Sequence, residues 1–286
     1  MKKITLVHKT LLTALVLTTL GLPVAPKAFA QAMIMPVRVT FENRDRMQEI
    51  TLFNPSRTAP VTYKLEWLNR RMTEDGNYVA TDGPLNPELD PETALLFSPK
   101  QITLPPNGKQ KLRISLRRPA DLPDGEYRAH LNVVRQGNTR ANTRMGSVDA
   151  EGMTVKMGMN VGIAIPVIVR QGGPYDSTAA INPPQFLPAS ADGKQPAKIQ
   201  FDLTRTGKYS TNGNITVYWT PVGGEEQEIA MRSNVKVYHE INRLQVTMPL
   251  KKGLTQISGG KVRIVYEGIE PDDGIKFDEK TFAIGG

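Results

Sequence analysis

The chain has 286 residues, with 36 lysines and arginines against 28 acidic residues, three histidines and no cysteine. Lacking cysteine, it has neither a disulfide nor a thiolate metal site, so its stability must come from hydrophobic cores, and its length allows two domains of ordinary size. The formal charge of +8 is inflated by residues 1–30, which hold four lysines and no acid; the 32 basic and 28 acidic residues that follow are scattered and form no basic stripe, which argues against a nucleic-acid partner.

At the start, Lys2 and Lys3 precede an apolar run around Leu11 to Leu22, and Ala28-Phe29-Ala30 has the small-x-small form of a signal-peptidase site. The expectation is a cleaved signal peptide over 1–30 and a mature start at Gln31. A retained anchor is the alternative, but Thr13, Thr18, Thr19 and Pro23 leave the run short of the roughly 20 residues that a span needs. No later segment reads as a membrane span.

Beyond the leader, apolar residues alternate with polar ones between turn signals, and no 3.6-residue stripe stands out, so the chain reads as all-β. The runs begin with Val37, Val39 and Phe41, then Ile50 and Leu52, then Val61, Tyr63, Leu65 and Trp67. After Pro105-Pro106-Asn107-Gly108 come Leu112, Ile114 and Leu116, followed by a turn over Asp121 to Asp124 and a strand over Glu126 to Arg135. Asp124-Gly125-Glu126-Tyr127 looks like a tyrosine corner. Gly137 to Gly152 reads as a loop, and Gln171 to about Pro184 as a hinge.

A second set follows: Ile199, Phe201 and Leu203; Ile215, Val217 and Trp219; Val235 and Val237; Leu244 to Leu250; Val262, Ile264 and Tyr266. Two such sets predict two immunoglobulin-like β-sandwich domains, 31–171 and 172–286. Trp67 and Trp219 are expected in the cores.

The most informative run lies between the sets. From Met153 to Val169 every odd-numbered residue is apolar, which describes one strand of seventeen residues with one greasy face. At roughly 3.3 Å per residue it would reach about 55 Å, far beyond an ordinary strand. Either the whole stripe is internal core, or part of it lies along a sheet edge and waits for another chain. Its length favours the edge. Soluble proteins usually protect such edges from aggregation.

Catalytic material is sparse. His130 and His239 stand alone in strand-like runs and are expected to be surface or rim residues, and no phosphate loop, dinucleotide fingerprint or nucleophile elbow is present. Asp272-Asp273-Gly274 lacks the oxygen-ligand alternation of a calcium loop and reads as a solvated turn. Nothing fixes Glu66 with Glu74, or Asp272 with Asp273, at a working separation, so the chain is not read as an enzyme and no metal or cofactor is expected.

The ordered set Arg38-Val-Thr-Phe41, Leu104-Pro-Pro-Asn-Gly-Lys-Gln-Lys-Leu-Arg113, Pro123-Asp-Gly-Glu-Tyr-Arg128 and Ile165-Pro-Val-Ile-Val-Arg170, with the long stripe before its last member, resembles the PapD-like periplasmic chaperones of pilus assembly. The second set of strands shares its size, pattern and the Val262-Arg-Ile-Val-Tyr-Glu-Gly268 run. The resemblance implies a boomerang of two immunoglobulin-like domains in the periplasm that binds pilin or fimbrial subunits. In that family the edge strand fills the gap in each incomplete subunit sandwich, so this mode of binding comes with the resemblance.

By this resemblance Met153, Val155, Met157, Met159 and Val161 are the donor side chains. Arg38 anchors the subunit's terminal carboxylate, with an ordinary solvent-facing arginine as the alternative. The family's partner lysine is missing, since Pro166 occupies its position. Glu126 and Arg170 match two members of an interdomain salt bridge, with Glu267 and Asp272 as candidates for the third. The resemblance leaves open whether an outer-membrane usher receives the complex and whether the free protein caps its edge as a dimer. The competing reading, a pilus or surface-fibre subunit, is disfavoured because a fibre subunit would carry its donor segment directly after the leader.

Overall fold

The computed structural model describes residues 32–136, 162–190 and 192–285. Met153, Val155, Met157, Met159 and Val161 lie outside the described residues, as do the leader and the loop before the stripe. The first lobe contains β1 (Met33–Met35), β2 (Val39–Phe41), β3 (Met47–Phe53), β4 (Val61–Leu68), β5 (Arg70–Met72), β6 (Tyr78–Ala80), β7 (Leu95–Ser98), β8 (Gln101–Leu104), β9 (Lys109–Leu116), β10 (Gly125–Arg135) and β11 (Gly162–Gln171). The second contains β12 (Thr178–Ile181), β13 (Gln185–Leu187), β14 (Lys198–Thr206), β15 (Thr211–Thr220), β16 (Gln227–Val237), β17 (Arg243–Pro249), β18 (Lys261–Gly268) and β19 (Lys276–Ala283).

In the first lobe a sheet ordered β1-β3-β9-β7 faces a sheet ordered β2-β11-β10-β4-β8. The odd residues of β11 and β10 supply much of the core between them: Ile165, Val167 and Val169 with Tyr127, Ala129, Leu131 and Val133, packed on Phe41, Ile50, Leu52 and Ile114. This is the period-two alternation of the sequence turned into packing. Tyr127 makes the corner, its hydroxyl donating to the Pro123 carbonyl at 2.7 Å.

The second lobe repeats the plan with β12 and β13 on one side of β14 and β17 on the other, facing a sheet ordered β16-β15-β18-β19. Its core holds Phe201, Leu203, Ile215, Val217, Val246, Met248, Ile264 and Tyr266. The hinge is shorter than expected, because Ala179 and Ile181 are buried on β12 and too few to show a pattern. The turn after β11 falls at Gly172, whose φ of +78° suits glycine, and a Cβ there would meet the Asp124 carboxylate at 2.2 Å.

Three side chains sit differently from expectation. His130 is buried, not on the surface. Trp67 and Trp219 are half-buried against their cores; each turns its indole N–H to a backbone carbonyl, Leu95 at 3.2 Å and Gly259 at 2.9 Å, which a fully apolar site would not satisfy.

The strands β5 and β6 have no counterpart among the expected runs. They form a separate two-stranded hairpin that touches β10 of the first lobe through Arg70 and Tyr78 and reaches the second. Met72 is buried in the second core, and the Glu74 carbonyl accepts from the Gln245 N–H at 2.7 Å. The tip carries Gly76 at φ +81°, where a Cβ would rest against Leu244 at 3.5 Å.

Candidate functional site

Two features of the first lobe set up the site, the outer edge of β11 and the polar face of β10. β11 pairs with β10 from Gly162 to Gln171, but its other side meets β2 only over Val167 to Val169. Among the described residues, Gly162 to Pro166 therefore has no strand on its outer edge. The backbone groups of such an edge invite a further strand.

On β10 the even residues Glu126, Arg128, His130 and Asn132 form the face opposite the core, and all four are buried. Buried polar groups must find partners, and here the partners come from both lobes: Arg170, Arg70 and Glu66 from the first, Ser210, His239 and Glu240 from the second. Arg170 lies centrally. Its Nε donates to Glu126 Oε2 at 3.2 Å and its Nη1 to Asp272 Oδ1 at 2.8 Å, its guanidinium stands 5.2 Å from the Tyr175 ring centroid, and it is 1% exposed. Glu126 Oε2 also accepts from the Ser210 N–H at 3.2 Å and hydroxyl at 2.8 Å. Asp272 is thus buried in an ion pair and is no solvated turn residue, whereas Glu267 is exposed on β18.

Arg128 forms the neighbouring knot. It pairs with Glu240, donates to the Arg70 carbonyl at 3.1 Å, and stacks 4.1 Å from the Tyr238 ring centroid. His130 accepts from Arg128 Nη1, with Nε2 2.9 Å away. His239 is a rim residue, its Nδ1 3.7 Å from Glu126 Oε1 and 3.6 Å from Glu240 Oε2, while the Asn86 amide lies 3.1 Å from its Nε2. The paired-carboxylate reading finds no support: Glu66 meets Lys64 at 3.0 Å, Glu74 meets Arg243 at 3.3 Å, and Asp272 serves Arg170. Among the described residues no three metal-ligating side chains cluster, and no helix is long and apolar enough to cross a membrane.

Arg38 stands out by what it lacks. It directly precedes β2 and shares the cleft with the groups above. Its three guanidinium nitrogens are buried with no hydrogen-bond partner among the described residues. Burial lowers its hold on the proton; Glu126 and Tyr238 offset this in part, while Arg170 adds repulsion. A guanidinium so placed has its planar donor fork free for an oxyanion.

The cleft should respond to acid. Burial opposes charge on Glu126, yet His239, Arg170 and Ser210 hold its carboxyl at about 2, below the ordinary 4.5. That stabilisation is present above about pH 4.5 and is lost as pH falls toward 2, on the order of 3 kcal/mol in full. His130 is driven down to about 3 by burial, then by Arg128 and Arg70, from an ordinary 6.5. Here the unfolded chain takes up the proton first, so stability falls from about pH 6.5 down to about 3. The urea midpoint is expected to fall steadily between pH 6.5 and 3, and Glu126→Gln should flatten the part below 4.5. A midpoint unchanged from pH 7 to pH 4 would contradict this.

No protein-family model and no curated protein sequence matches the chain. Solved structures do. The chain is similar to the CsuC–CsuE chaperone–tip adhesion subunit pre-assembly complex of archaic Csu pili from Acinetobacter baumannii, at 12% identity and TM-score 0.42 over 90% of this chain and 99% of that one. It is similar to the Pseudomonas aeruginosa CupB2 chaperone, at 13% and 0.40 over 88% and 100%. It is also similar to the Salmonella enterica SafA pilin–SafB chaperone complex, at 13% and 0.43 over 91% and 99%. Likeness of this degree assigns no role to any residue.

Proposed function

We propose that the chain is a PapD-like periplasmic chaperone that binds pilin subunits by adding its own edge strand to them and delivers them for assembly at the outer membrane. The observation that carries this reading is the outer edge of β11 from Gly162 to Pro166, which no strand covers among the described residues. Directly before it in the sequence stands the apolar stripe Met153 to Val161, whose odd-numbered residues are the proposed donor side chains. Main-chain hydrogen bonds along an edge give affinity, and alternate side chains entering pockets give specificity. Methionines at three of the five positions suit a surface that accepts several related subunits, because the thioether chain adapts its shape.

Arg38 is the proposed anchor for the subunit's terminal carboxylate, and the Glu126–Arg170–Asp272 network is the proposed brace that fixes the lobes around it. In this reading the chaperone uses no cofactor and catalyses no reaction. Arg38→Ala is expected to weaken capture of a subunit by about ten- to a hundredfold, the range for a charge-assisted hydrogen-bonded contact. A subunit lacking its C-terminal residues should show much less dependence on Arg38. Competition binding with both subunit forms measures this; equal losses for the two would remove the anchoring role.

A further inference from the structure

The first-lobe groups that register and charge place beside Arg38 are neutral or already committed. Pro166, which extends the β2–β11 register to the level of Arg38, carries no charge. His130, opposite Pro166 on β10, is kept neutral by burial and by Arg128. Arg128 is committed to Glu240, and Arg170 to Glu126 and Asp272.

The second lobe offers Lys236. Val235 and Val237 on either side of it fill the second core, so strand alternation turns Lys236 to the opposite face. Register sets it beside Asn212, two residues beyond the Ser210 that binds Glu126. Two residues further along the chain, Tyr238 lies under Arg128. Lys236 is therefore bracketed by cleft-wall residues on both strands. It is half-buried, and its ammonium is pushed below its ordinary value by burial and then by the charge of Arg38. Two cations that repel across a cleft, one of them with every guanidinium nitrogen unpartnered among the described residues, form an arrangement that a bound anion relieves.

We propose that Arg38 and Lys236 together hold one carboxylate, so that the terminal carboxyl of an extended peptide is clamped between the two lobes. The inference deepens the chaperone reading and rests on it for the identity of the ligand. It adds a consequence: with one cation on each lobe, carboxylate binding and the arrangement of the lobes are thermodynamically linked, which two cations on a single lobe would not require.

The test uses the full mature chain and two probes, an acetylated nine-residue peptide of alternating valine and serine with a free C-terminal carboxylate, and the same peptide as its amide. Fluorescence anisotropy reads both affinities. The native protein is expected to prefer the acid by about tenfold or more, the size of a charge-assisted pair. Lys236→Met should cut that preference by roughly five- to tenfold, Lys236→Arg should keep most of it, and Arg38→Ala should abolish it. Lys236→Met removes a charge that opposes folding, so its Tm should match or exceed the native value, and Lys236→Gln serves as a second variant. If Lys236→Met keeps the full preference while Arg38→Ala loses it, Lys236 is not part of the site although the anchor stands. If the native protein binds acid and amide equally, the carboxylate role of Arg38 fails and this inference with it, leaving strand addition to be judged on the amide.

Discussion

Arg170→Ala is expected to lower the free energy of unfolding by about 3–5 kcal/mol, read as a shift in the urea midpoint, the penalty for leaving buried charges without their partner. Both acids that it serves are buried, and Asp272 loses its ion-pair partner outright, while Glu126 keeps Ser210. The triple variant Arg170→Met, Glu126→Gln, Asp272→Asn should lose less than the single one, because no unpaired charge is left in the cleft. A single variant within about 0.5 kcal/mol of native, the range of ordinary surface changes, would show that the network is not a buried brace.

Met157→Glu with Met159→Glu is expected to abolish subunit capture. Each methionine buried in a partner would contribute about 1.5–3 kcal/mol, and each glutamate would carry an unpaired carboxylate into an apolar pocket at a cost of several more. Together the loss exceeds about a thousandfold in affinity. The free protein should keep its native Tm, since the proposed stripe faces a partner and not this chain's own core. Pull-down and thermal unfolding of the same preparation check both halves. Retained capture rejects these residues as donors, and a collapse in Tm would mean that the stripe is internal.

Much of the architecture is legible because the sandwich cores are built from strict alternation. Ile165, Val167 and Val169 announce a one-faced strand whatever lies around them, and the same holds for Phe201 and Leu203 on β14. Short elements escape. β12 shows only Ala179 and Ile181 to the core, and β5 and β6 hold three residues each, although Asp75-Gly76 between them is a recognised hairpin signal.

The cleft is legible on one side only. Arg38, Glu126 and Arg170 come with the resemblance, but Ser210, Tyr238, His239 and Glu240 reach this face from strands and turns that no local period connects. β10 gives no warning of it. Glu126, Arg128, His130 and Asn132 on the non-core face of a strand read as an ordinary solvent surface, and only their burial, with Ser210 and Glu240 against Glu126 and Arg128, shows that part of the face is an interface. His130 misleads for the same reason: alternation says which side of a sheet a residue takes, and says nothing about what covers that side.

The most direct test of the proposed strand addition is amide hydrogen exchange at Gly162 to Ile165, measured on the free chain and on its complex with a pilin subunit co-purified from periplasm. An incoming strand takes up the open edge, so exchange there is expected to slow by about tenfold or more in the complex. Exchange at those amides unchanged by a subunit that protects other parts of the chain would contradict the account.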